Sequence, residues 1–160
     1  MSMMEMHKSS IFPDLKPGLA RTVVLSGLAA DITWEIWARV FTPLWVGGPL
    51  EPAALVQSVF GFSNLLVAEA IHAIVGIIFY PIGYLFIARP LQRVIFPKLP
   101  LLLTGIGFGT GLWVFALYVM AHLIAGLPAF LGFITLTWAS LIGHILFGIV
   151  VAFVVRALER

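Results

Sequence analysis

The sequence predicts an all-α membrane protein, built as a bundle of four transmembrane helices. The chain is 61% hydrophobic and only 10% charged, and its mean hydropathy is +1.10. Soluble globular domains carry about 25% charged residues. The 57 residues between Lys98 and Arg156 contain no Asp, Glu, Lys or Arg. We therefore predict one integral membrane domain covering residues 1–160.

Four spans account for the apolar segments, because a helix needs about 20 residues to cross the hydrocarbon core. The predicted spans cover about residues 21–45, 65–87, 100–124 and 135–156. Ala125-Gly126-Leu127-Pro128, a typical turn sequence, separates the last two. The connection 46–64 contains Gly47-Gly48-Pro49 and Pro52 before an apolar run. We predict a short helix there, lying at the membrane interface.

Basic residues fall on one side of this arrangement. Eight of the nine lie before the first span, between the second and third, or after the fourth: Lys8, Lys16, Arg21, Arg89, Arg93, Lys98, Arg156 and Arg160. The connection before the second span carries only Glu51, and the one before the fourth carries no charge. The positive-inside rule therefore predicts a bacterial-type inner-membrane protein with both termini in the cytoplasm.

The first span carries charged residues that are unusual in a membrane helix. Asp31, Glu35 and Arg39 follow one another at four-residue spacing, so a helix stacks two acids and a base along one face. An ionisable side chain at the membrane centre costs about 2.5–3.5 kcal/mol on insertion scales, and such residues normally turn inward and mark a site. We expect this stripe to face the interior of the bundle.

Three further polar residues lie at matching depths in the second and fourth spans. At a rise of about 1.5 Å per residue, Arg39 lies level with Glu69, which predicts an ion pair between them. Asp31 and Glu35 lie near the levels of the two histidines in these spans. The buried polar cluster predicted in this way comprises Asp31, Glu35, Arg39, Glu69, His72 and His144.

Three roles are open to such a cluster. It can be purely structural, it can bind a haem or a single metal ion, or it can translocate protons or ions along an acid and histidine relay. Glu69 and His72 have the Glu-x-x-His spacing of carboxylate metal sites, but a di-iron site needs this motif twice, and Leu141 stands three residues before His144. A single metal held by His72, His144 and Glu69, or a haem held by the two histidines, meets this objection.

The third span has a glycine at every second position over one stretch. Gly105, Gly107, Gly109 and Gly111 form two overlapping small-xxx-small patterns on opposite faces. Such patterns are typical of close packing between membrane helices.

Two short matches suggest an internal repeat. Leu25-Ser26-Gly27 resembles Leu103-Thr104-Gly105 at an offset of 78 residues, and His72-x-x-x-Gly76 resembles His144-x-x-x-Gly148 at an offset of 72. The fold would then consist of two helical hairpins in parallel orientation.

Several functions are disfavoured by what the sequence lacks. The absence of cysteine excludes disulfides, thiolate metal sites and thiol catalysis. The pI near 9.3 comes from bases beside the spans and does not indicate nucleic-acid binding. No serine lies in a G-x-S-x-G setting, and whether the chain is an enzyme stays open. A cleaved signal peptide is disfavoured because apolar character resumes after Asp31.

Three segments carry a family resemblance: His72-Ala73-Ile74-Val75-Gly76, the Gly105 and Gly109 helix with Trp113, and Leu141-Ile142-Gly143-His144-Ile145-Leu146-Phe147-Gly148. Over about 90 residues the chain resembles small four-helix prokaryotic inner-membrane proteins of uncharacterised function. The resemblance implies the fold and supplies no substrate or cofactor. We predict a membrane-embedded subunit or accessory component of a larger assembly, in contact with the lipid bilayer and with protein partners or copies of itself. A haem- or metal-binding redox protein and a proton or ion translocation component are the alternatives.

Overall fold

The computed structural model describes residues 18–159, and this part of the chain is helical with no strand. Helix α1 covers residues 18–46, α2 is Pro52–Phe60, α3 is Leu65–Ile95, α4 is Leu101–Ile124 and α5 is Thr135–Leu158. A short 3-10 turn, Ala129–Phe133, precedes α5. Lys8, Lys16 and Arg160, which contribute to the charge argument, lie outside the described residues.

Three of these helices, α3, α4 and α5, are long and apolar enough to cross a membrane. The chain is therefore an integral membrane protein by the length and composition of its helices. Helix α1 is equally long but less apolar, because every stretch of 18 residues within it holds three charged side chains.

The helices follow the predicted spans closely except at the end of the second span. That span was predicted to end before Pro90, yet α3 continues to Ile95. Three π-helical segments each end two residues before a proline: Trp37–Phe41 before Pro43, Val75–Phe79 before Pro81, and Tyr84–Ala88 before Pro90. A proline lacks an N–H and clashes with the carbonyl four residues earlier. Each wider π turn contains that carbonyl, so the helix continues through the proline.

Helix α5 is the packing centre of the described chain. It has its most extensive contacts with α4 and further contacts with α1, while α1 also packs against α3. Helix α2 bridges α3 and α4, which make few direct contacts with each other.

Two of the four α4 glycines lie at the α5 interface. A Cβ atom on Gly105 would come within 2.7 Å of the Ile149 Cα, and one on Gly109 would overlap the backbone of His144. Gly107 and Gly111 have nothing within 4 Å of such an atom. Of the two predicted packing faces, only the one with Gly105 and Gly109 lies against another helix in residues 18–159.

Candidate functional site

A cleft of about 670 Å³ lies between α3 and α4, under the bridging helix α2. Its lining is mostly apolar and includes Val75, Phe79 and Tyr80 of α3 and Leu112, Ala116 and Met120 of α4. Small-molecule sites in proteins typically have volumes of about 300–1,000 Å³ and a few polar groups among apolar ones. The cleft therefore has the size and the character of a ligand site.

Three polar aromatic side chains from different helices meet at this cleft. Trp34 of α1, His72 of α3 and His144 of α5 all line it. The indole centroid of Trp34 lies 4.6 Å from the imidazole centroid of His144, in an edge-on arrangement, and 6.2 Å from that of His72. Gly143 makes room for the indole, since a Cβ atom there would lie 2.9 Å from the Trp34 Cε3. The sequence reasoning chose both histidines but missed Trp34.

The indole N–H of Trp34 has no hydrogen-bond partner in the described part of the chain. The residue is only 5% exposed, so the group is cut off from bulk solvent. Two other tryptophans satisfy theirs: Trp37 Nε1 donates to the Ala139 carbonyl at 2.8 Å, and Trp113 Nε1 donates to the Thr137 carbonyl at 3.1 Å. A buried donor left without an acceptor costs about 1–3 kcal/mol. An oxygen atom bound in the cleft would remove this cost.

His144 supplies a hydrogen-bond acceptor beside that donor. Its side chain is buried, and its Nδ1 lies 2.8 Å from the Ser140 carbonyl oxygen. A carbonyl oxygen only accepts, so Nδ1 carries the proton and the neutral ring has its lone pair on Nε2. The cleft thus combines one donor without a partner and one imidazole acceptor in apolar surroundings.

The predicted charged residues lie outside this lining. Arg39 donates to Glu35 on the same helix, and its Nη2 lies 3.5 Å from the Glu69 Oε1 on α3. The Arg39 side chain is 54% exposed, and those of Glu35 and Glu69 are 31% and 34% exposed. The Arg39–Glu69 pair expected from depth is therefore present, but it lies at the protein surface.

The prediction of one buried polar cluster is wrong, because only His144 of its six members is buried. The face of α1 that turns inward contains Ala30, Trp34 and Ala38, at 0%, 5% and 1% exposure. The acidic and basic stripe lies one position later on the helix, which rotates it about 100° away from that face. Asp31 is half-buried and its Oδ1 lies 2.9 Å from where a Cβ atom on Gly76 would be.

A metal site formed by His72, His144 and Glu69 is not assembled. Within residues 18–159, no group of three or more His, Asp or Glu side chains is placed to hold a metal ion. Glu69 lies instead beside Arg39. A haem held by His72 and His144 needs only these two ligands, and it stays a prediction.

No family model, curated protein or solved structure matches the chain. The resemblance to small four-helix prokaryotic inner-membrane proteins therefore stays a prediction.

Proposed function

We propose that this protein binds a lipid-soluble small molecule in the cleft between α3 and α4, and that it does so as a component of a larger inner-membrane assembly. The observation that carries the proposal is the buried Trp34 N–H, which lies in the lining without an acceptor. The ligand would have an apolar body and a carbonyl or hydroxyl oxygen that accepts from Trp34. A hydroxyl on the same molecule could also donate to His144 Nε2.

The experiment is to identify what remains bound to the protein after purification in a mild detergent. Bound molecules would be extracted and analysed by mass spectrometry from wild type, Ala116→Phe and Val114→Phe. Ala116 lines the cleft, whereas Val114 is an exposed α4 residue outside the lining. We expect one species in near-stoichiometric amount with wild type and Val114→Phe, and its loss from Ala116→Phe. The same bound lipids in all three proteins would contradict the proposal.

The haem alternative is tested on the same samples. A Soret absorption band in wild type that disappears in His144→Gln would identify the bound molecule as haem. Preparations without such a band would exclude that alternative.

A four-span arrangement with cytoplasmic termini belongs to this proposal. Helix α1 contains 29 residues, or about 43 Å at about 1.5 Å per residue. It runs against α3 and α5, which are both apolar enough to span. Its charged residues lie beside α3, where Arg39 and Glu69 pair, and this reduces the cost of placing α1 in the membrane.

We also infer that the two hairpins, α1 with α3 and α4 with α5, arose by duplication. Gly27 lies against the Ile77 backbone, and Gly105 lies against the Ile149 backbone. The partners in these two contacts differ by the same 78 and 72 residues that relate the sequence matches. Likewise, Gly76 lies against Asp31, and Gly148 lies against Gly109. A duplication explains why each contact in one hairpin has its counterpart in the other.

The assembly part of the proposal rests on the exposed ionic group Glu35, Arg39 and Glu69. Around it on α1, Ile32, Ile36 and Val40 are 48–58% exposed, so the surface is otherwise apolar. Charged groups facing hydrocarbon are disfavoured, and a contacting chain would cover them. Because the group contains both signs, we propose a second copy of this chain as the contact, with Arg39 pairing to a glutamate across a two-fold axis.

Native mass spectrometry from bilayer nanodiscs tests this assembly. We expect dimers of the wild-type chain, and monomers for Arg39→Gln. Wild type that is monomeric at all protein-to-lipid ratios would contradict it.

A further inference from the structure

A second pocket, of about 340 Å³, lies where α3 and α5 end and α4 begins. Its lining contains three arginines and one acid, a net charge of two positive: Arg89, Arg93, Arg156 and Glu159. The pocket is separate from the cleft and shares none of its lining residues.

One arginine of this pocket is held in a fixed orientation. Arg89 pairs with Glu159 through both terminal nitrogens, with 2.6 Å between Nη2 and Oε2. Its side chain is only 15% exposed. Arg93 follows Arg89 by one helical turn, so the two guanidinium groups come from the same face of α3. Several cations around one pocket favour an anion of more than one negative oxygen, and planar guanidinium groups match the geometry of phosphate oxygens.

The rest of the pocket is polar on one side and apolar on the other. Tyr84 and Thr104 supply hydroxyl groups, while Leu101, Ala152 and Val155 complete the lining. The neighbouring helix surface is strongly apolar: Ile87, Leu91 and Leu102 are 68%, 55% and 48% exposed. In a membrane protein such a surface faces acyl chains. The positive pocket is therefore next to a hydrocarbon-facing surface at a helix end.

We propose that this pocket binds the phosphate of an anionic phospholipid headgroup, while the acyl chains lie along the exposed apolar surface of α3 and α4. The same phosphate chemistry would suit a free inorganic anion. The adjoining apolar surface favours the lipid, because it can bury part of the acyl chains next to the bound headgroup. The net positive charge favours an anionic headgroup over a zwitterionic one.

The test measures retention of phosphatidylglycerol and phosphatidylcholine by the purified full-length protein, using native mass spectrometry from mixed micelles. We expect wild type to retain phosphatidylglycerol preferentially. Arg156→Gln should weaken this retention about fivefold, which corresponds to the roughly 1 kcal/mol that one basic residue contributes near an anionic surface. Glu159→Gln should strengthen it, because it removes the only acid in the lining. Arg21→Gln changes a base outside the lining and serves as the control.

Arg156→Lys separates charge from folding, since it keeps the positive charge and should keep most of the lipid retention. Equal retention of the two lipids by wild type, or unchanged retention in Arg156→Gln, would overturn the proposal. Displacement of bound phosphatidylglycerol by an equal concentration of inorganic phosphate would overturn the assignment to a lipid. These outcomes are independent of the ligand in the cleft.

Discussion

Three tryptophans offer a matched comparison that tests the role of the Trp34 N–H. Trp34→Phe, Trp37→Phe and Trp113→Phe remove the same atoms, so the loss of side-chain volume is common to all three. The substitutions differ in the hydrogen bond. Trp37 and Trp113 each lose a bond to an α5 carbonyl, whereas Trp34 loses a donor that has no partner in the described chain.

The magnitude follows from this difference. Losing an ordinary intramolecular hydrogen bond costs about 0.5–1.5 kcal/mol, whereas removing an unsatisfied buried donor regains about 1–3 kcal/mol. In ligand-free protein, Trp34→Phe should therefore be more stable than Trp113→Phe by about 1.5–4.5 kcal/mol. Trp113 is the closer match, because its exposure of 8% is near the 5% of Trp34.

The assay is reversible unfolding in micelles, followed by far-UV circular dichroism during denaturant titration. Delipidated protein should give the order just described. Protein that keeps its bound molecule should show Trp34→Phe losing stability relative to wild type, because the ligand oxygen loses its donor. If delipidated Trp34→Phe were destabilised as much as Trp113→Phe, the N–H would have a partner and the argument for a ligand would fail.

Four further predictions concern packing, charge, topology and the histidines. Gly105→Ala and Gly109→Ala should lower folded yield, because the new Cβ atoms meet the α5 backbone; Gly107→Ala and Gly111→Ala should be neutral or gain up to about 1 kcal/mol. A double-mutant cycle of Arg39→Leu and Glu69→Leu should give a coupling of about 1 kcal/mol or less for this exposed pair, and 3–5 kcal/mol would indicate burial. Because the chain has no cysteine, single cysteines at Glu51 and Pro128 should be labelled from outside the cell and one at Arg93 should not; the opposite pattern would refute the topology. His144→Gln should reduce stability more than His72→Gln, because His144 is buried and bonded to Ser140; equal melting temperatures would contradict this.

The helices could be predicted from the sequence because hydropathy and charge report directly on which segments can enter a membrane. Turn residues such as Gly126 and Pro128 then located the break between α4 and α5. Pro90 was misleading, since proline ends most helices, and nothing in a local pattern reveals that a π turn will let α3 continue. Tertiary packing and neighbouring π geometry decide this, and both are visible only in three dimensions.

The site was harder to predict for a different reason. Depth along a helix follows from residue number, so the Arg39–Glu69 level was predictable. The direction of a side chain around the helix axis depends on the neighbouring helices, and a segment that is apolar on most sides gives little information about it. The stripe of Ala30, Trp34 and Ala38 was an available signal, because small residues flanking a large aromatic one suit a packed face. The charged stripe beside it drew the inward assignment instead.

The central position of α5 has a consequence for biogenesis. Helix α5 is the last described helix to leave the ribosome, yet α4 has its main contacts with it, and Ser140 and His144 of the cleft belong to it. Synthesis of α1 and α3 can produce a paired hairpin, whereas α4 must wait in the translocon or in lipid until α5 arrives. The nascent chain therefore has an interval in which a glycine-rich surface is uncovered, and this interval is when an insertase or membrane protease would recognise an unfinished protein.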